Sequence, residues 1–177
     1  LEDSLLLTAW DFDTVSKNDF IGLKRMGLSQ FDPRQSDDAA LETEMMLELV
    51  DRQGSPVKGH DGQNSLVYVS VQVSAHKVHM GKGYIDAVTR GLDVEAVCDS
   101  LADKPWKLKV SVISGEHLPK TDTYGLCDPF VTLSIDGGDT EQKTSVIKNT
   151  LSPYWDEHFV FNPVKCSMRG EFLTLVV

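Results

Sequence analysis

Residues 10–22 read W-D-F-D-T-V-S-K-N-D-F-I-G and follow directly on the apolar run Leu5–Ala9. Asp11, Asp13, Ser16 and Asp19 fall within nine positions of this stretch. Carboxylates so close repel one another, and a loop bearing three of them is costly to fold unless a cation or water separates the charges. Calcium suits such a loop, because it takes about six to eight oxygen ligands, tolerates irregular geometry and accepts carboxylate, hydroxyl and backbone carbonyl together. An isolated D-x-D is usually only a solvated turn. In sugar transferases it holds a metal-nucleotide, but nothing else in this chain supplies a nucleotide fold. An EF-hand is excluded: counted from Asp11, the sixth position is Ser16 where Gly is needed, and the twelfth is Gly22 where Glu is needed.

Working outward, residues 4–10 (S-L-L-L-T-A-W) predict a buried strand that leads into the acidic loop, and Asp19–Leu28 the strand that returns from it. Residues 29–43 read as an acidic connector, a solvated loop or short helix, broken at Pro33 and carrying Asp37, Asp38 and Glu42. An apolar piece, Met45–Val50, stops at the turn-rich D-R-Q-G-S-P. From Leu66 to Val73 the alternation is clean: Val67, Val69, Val71 and Val73 share one face, with Tyr68, Ser70 and Gln72 on the other. That pattern predicts a half-buried strand of an antiparallel sheet. Residues 76–105 carry only a weak helical stripe (Ile85, Val88, Leu92), interrupted by Gly91, and read as a linker with one short helix or as an irregular connector.

A second strand-rich unit opens at Trp106. Leu108, Val110 and Val112 alternate with Lys107, Lys109 and Ser111, and the loop K-T-D-T-Y-G-L-C-D-P-F-V that follows carries Asp122 and Asp128. Val131, Leu133 and Ile135 repeat the alternation, Glu141–Lys148 predicts another strand, N-T-L-S-P-Y-W a tight corner, and His158–Phe161 and Phe172–Val177 two more strands.

The pattern D-x-D-x-x-S-K-x-D-x-I-G after an apolar strand resembles the third calcium-binding loop of C2 domains. The second unit resembles the opening of a C2 domain, through L-K-V-S-V-I-S-G-E-H-L-P, G-L-C-D-P-F-V and K-N-T-L-S-P-Y-W-D-E-H-F-V-F. One departure is Ser152, where the family usually has Asn before the Pro of this corner. The resemblance implies an all-β fold, an antiparallel Greek-key sandwich of the C2 type. Residues 1–75 correspond to the closing half of such a domain, 76–105 to a linker and 106–177 to an opening half. Leu5–Trp10 and Phe172–Val177 look like the same family strand, so the first expectation is a slice through two tandem C2 domains. The second is a permuted or swapped assembly in which the two halves complete one sandwich. In the first arrangement Asp11, Asp13, Ser16 and Asp19 belong to one site and Asp122 with Asp128 to another; in the second all six converge.

The resemblance further implies a non-enzymatic module that binds calcium and uses it to engage an anionic phospholipid membrane, peripheral and cytoplasmic. The alternative is a calcium-independent module that binds proteins. Val15, Tyr124 and Leu126 sit at loop tips, where they either dip into headgroups or pack within their loops. Lys143 and Lys148 lie where some C2 domains grip phosphoinositides, and otherwise form a solvated strand face. The net charge of -10 disfavours nucleic acid. Cys98, Cys127 and Cys166, without C-x-x-C spacing, read as reduced, structurally neutral thiols of an intracellular protein. The five histidines form no ligand set, no G-x-S-x-G or P-loop occurs, and no apolar run is long enough to span a bilayer.

Overall fold

Val67, Val69, Val71 and Val73 are all buried, and the alternation that carries them is strand β4, Leu66–Ser74. The computed structural model describes residues 4–31, 41–74, 106–121, 125–135 and 141–164. The other strands are β1 (Ser4–Asp11), β2 (Asp19–Gly27), β3 (Leu41–Glu48), β5 (Trp106–Glu116), β6 (Pro129–Ile135), β7 (Gln142–Lys143) and β8 (Tyr154–Val164), with one short 3-10 turn at Leu28–Phe31. They form two antiparallel four-stranded sheets, β2-β1-β6-β7 and β3-β4-β5-β8.

The sheets pack face to face. Leu5, Leu7, Ala9, Val131 and Leu133 from the first meet the β4 valines, Leu108, Val110, Val112, Phe159 and Phe161 from the second. Fully burying one Val or Leu side chain contributes about 1.5–3 kcal/mol, so this shared interior determines the architecture. Strands from 4–74 and from 106–164 are interleaved in both sheets: β1 pairs with β6 from Leu5↔Ile135 to Asp11↔Pro129, and β4 pairs with β5. This is the geometry of the second arrangement, in which the halves complete one sandwich.

Three expectations change. Glu141–Lys148 is a strand only at Gln142–Lys143, because the Val131 N–H donates to the Thr144 hydroxyl at 3.0 Å instead of to a main-chain carbonyl, which ends the regular ladder. The connector read as running to Thr43 gives way to β3 at Leu41; Glu42 and Glu44 on its outer face concealed the alternation. The strand around His158–Phe161 is longer, starting at Tyr154. The linker at 76–105 and the strand at 172–177 lie outside the described residues.

Between β3 and β4 the chain crosses to the other sheet, where Leu23 and Val50 exchange both main-chain hydrogen bonds at 2.9 Å. Farther along this excursion the Ser65 hydroxyl donates to the His117 carbonyl at 2.6 Å, and Asp61 contacts the His117 ring at 2.6 Å. The excursion is thereby fixed to the end of β5.

Candidate functional site

The site forms where β1 ends. Leu5, Leu7 and Ala9 point into the core, and the two-residue period of a strand carries Asp11 to the same side. Asp11 is only 1% exposed, so its carboxylate closes one end of the sandwich and needs protein donors. It has them. The Asp128 N–H donates to Oδ1 at 2.6 Å and the Thr121 hydroxyl donates to Oδ2. The Phe12 N–H donates to the Asp128 carbonyl at 3.1 Å, so the two acidic loops are tied by bonds in both directions.

A second clamp comes from the corner after β7. The Asn149 N–H donates to Asp128 Oδ1 at 2.7 Å, while Asn149 Oδ1 accepts the Leu126 N–H at 3.0 Å. Asn149 has φ of 55°, a left-handed conformation that Asn adopts more readily than most residues. Beneath the loop, the Cys127 thiol donates to the Pro119 carbonyl at 2.8 Å, and burial pushes its pKa up.

The expected site residues fall into distinct places. Asp11 and Asp128 are joined directly. Asp13 is half-buried just beyond Asp11, and its N–H donates to the Asn18 side chain at 3.2 Å. Asp19 lies opposite Asp11 in the β1–β2 register and is exposed. Ser16 is exposed, its hydroxyl 3.5 Å from the Lys17 carbonyl. Val15 is 98% exposed and Leu126 37% exposed. Asp122 and Tyr124 lie outside the described residues. Lys143 stands over the Phe130 ring, 3.6 Å from its centroid, and Lys148 is exposed on the following loop. An open groove of about 510 Å³ runs beside the tip, lined by Trp10, Phe130 and Thr132 with Lys17, Asn18 and Lys143. Sequence reasoning missed Thr121 and Asn149: neither type is diagnostic, and both act through contacts made by folding.

The chemistry of the donors fits a hard cation. Asp11, Asp13 and Asp128 offer only oxygen, and each carboxylate oxygen bonded to a protein donor keeps a second lone pair. Among the described residues, however, no three His, Cys, Asp or Glu side chains converge as a metal-holding group.

A two-sheet antiparallel sandwich with acidic loops tied together at one tip defines a C2-type module. The C2 domain family profile matches residues 1–43 and 106–177, and the chain belongs to that family. The E3 ubiquitin-protein ligase RSP5 of Saccharomyces cerevisiae is 42% identical over 73 residues, covering 41% of this chain and 8% of that protein. Protein unc-13 homolog 4B of Drosophila melanogaster is 39% identical over 72 residues, 40% of this chain and 6% of that protein. The chain therefore spans a small fraction of the length of the curated relatives it matches. No solved structure matches it significantly. Domains of this family are non-catalytic modules that bind membranes or proteins. Among the described residues no helix is long and apolar enough to cross a membrane.

Proposed function

We propose that the chain is a peripheral, cytoplasmic membrane-binding module whose tip takes up calcium and thereby gains affinity for anionic phospholipid. The observation that carries this reading is the bond from the Asp128 N–H to the Asp11 carboxylate, which draws the two acidic loops to one tip. Asp11 holds the loops in register. Asp13, Asp128, Asp19 and Ser16 are the proposed oxygen donors beside it, with Asp122 as a further candidate ligand. Bound calcium would offset the acidic charge and offer open coordination positions to phosphate or carboxylate oxygens. Val15, Tyr124 and Leu126 enter the headgroup layer, while Lys143, with Lys148 beyond it, attracts phosphate.

Residues 1–75 act as the closing half and 106–177 as the opening half, joined through 76–105. In a parent with tandem domains each half would meet its complement from a neighbouring repeat through the same β1–β6 register. Such a module would serve as the targeting part of a longer chain, as the small matched share of the relatives suggests.

The test is co-sedimentation with phosphatidylserine liposomes, in calcium and in chelator, with Asp13→Asn as the site variant. Pelleting in calcium alone, lost in the variant, is expected. Equally negligible pelleting under both conditions would sink the calcium switch. One observation favours a second reading, a calcium-independent protein-binding module: both Asp11 carboxylate oxygens are already bonded by protein donors.

A further inference from the structure

Three of the five large apolar side chains exposed among the described residues, Met46, Tyr154 and Val160, lie on the outer face of the β3-β4-β5-β8 sheet. Met46 is 61% and Tyr154 66% exposed. The register places Met46 opposite Tyr68, Tyr68 opposite Ser114, and Ser114 opposite Tyr154, so one row crosses all four strands. At the usual spacing between strands this row is about 14 Å long. Acids flank it on both sides. Glu44 and Glu48 stand two residues to either side of Met46 on β3, and Glu116 lies opposite Leu66 in the row of Glu48. The Tyr68 hydroxyl donates to Glu116 at 3.0 Å, which fixes the ring within the stripe. Lys109 sits two rows farther along the face.

We propose that this face binds a basic amphipathic helix. This row of about 14 Å across the strands, apolar or aromatic except at Ser114, matches about three turns of helix. Residues two apart on a strand lie about 7 Å apart, close to the half-width of a helix with its side chains, so Lys or Arg on each flank meets Glu44 on one side and Glu48 and Glu116 on the other. An extended peptide added along β3 would reach only Met46. A second copy of this face would set glutamate against glutamate, and an anionic membrane is repelled by it, so charge selects a cationic partner. None of its residues belongs to the acidic site, and the face works without calcium.

The probe is a fluorescein-labelled peptide of Leu and Lys, roughly four turns long, with leucines at helical i, i+3, i+4, i+7 spacing. The control has the same composition rearranged so that no stripe forms. Anisotropy with the full chain in chelator should show binding of the striped peptide at least about ten-fold tighter than of the control. Met46→Ser with Tyr154→Ser should weaken it by about ten-fold. Glu44→Lys with Glu48→Lys should lose the peptide and instead bind a version with Glu in place of Lys, a gain that a misfolded variant cannot give. Equal binding of striped and rearranged peptides overturns the assignment, as does a loss on Asp13→Asn equal to that on Met46→Ser with Tyr154→Ser. A concentration-dependent dimer abolished by Met46→Ser would overturn it in favour of self-association.

Discussion

Replacing Asp11 separates the structural part of the tip from its ligand-binding part. In Asp11→Ala the Asp128 N–H and the Thr121 hydroxyl both lose their acceptor. An unmet buried donor costs about 1–3 kcal/mol. The Thr121 hydroxyl lies 3.1 Å from the Cys127 sulfur and recovers part of the loss there, whereas the Asp128 N–H is fixed by the backbone. The expected destabilisation is therefore about 2–4 kcal/mol. For a chain of this size that corresponds to a drop of roughly 4–16 °C in Tm. Asp13→Ala removes a half-buried carboxylate but leaves the main-chain bond to Asn18 in place, and stability should stay within about 0.5 kcal/mol. Both variants should lose calcium-dependent liposome binding, but only Asp11→Ala should melt early in chelator. Circular dichroism melts of the three proteins without metal decide the matter. If Asp11→Ala melts within about 2 °C of the parent, or Asp13→Ala falls as far, the buried carboxylate does not organise the loops.

Four other outcomes follow. A backbone bond from Gln63, aided by His117, holds the Asp61 carboxyl below its ordinary value, so its stabilisation is present above the ordinary carboxylate range and fades as pH falls through the depressed folded value. The Tm gap between Asp61→Asn and the parent should be open at neutral pH and closed in strong acid; a gap independent of pH would refute the linkage. Burial raises the Cys127 pKa, so iodoacetamide at mildly alkaline pH should label it at least about ten-fold more slowly in the native protein than in denaturant, read by peptide mass mapping. At Gly59 an added Cβ would collide with the His117 carbonyl, so Gly59→Ala must shift backbone and should cost more than about 2 kcal/mol in urea unfolding. Sedimentation velocity should give a monomer, since β1 and β6 of one chain pair with each other; a dimer would show that the halves are exchanged between chains.

The strands that alternate cleanly were legible. The valines of β4 and the Leu108–Val112 run of β5 announce their buried faces, because apolar residues at every second position have only one core to enter. β3 was half hidden, since Glu42 and Glu44 on a solvated face look like connector. The 144–148 stretch reads as strand because nothing local reveals that a threonine hydroxyl takes the place of a ladder carbonyl. At the tip the acidic residues were visible as candidates, but their division of labour was not. Burial of Asp11 follows from counting parity along β1, whereas the roles of Thr121 and Asn149 depend on contacts more than twenty residues away.

The β1–β6 pairing has a cost during synthesis. β1 lies between β2 and β6, and its second neighbour is encoded more than a hundred residues downstream. While the ribosome makes the intervening chain, Leu5, Leu7 and Ala9 meet only the β3 and β4 part of their opposing layer, and the edge of β1 that β6 covers is open to neighbouring nascent chains. Pairings this remote in sequence close late and slowly. Chaperone demand should therefore fall on the first strand hairpin, and a slowed translation rate should lower the soluble yield by prolonging its exposure.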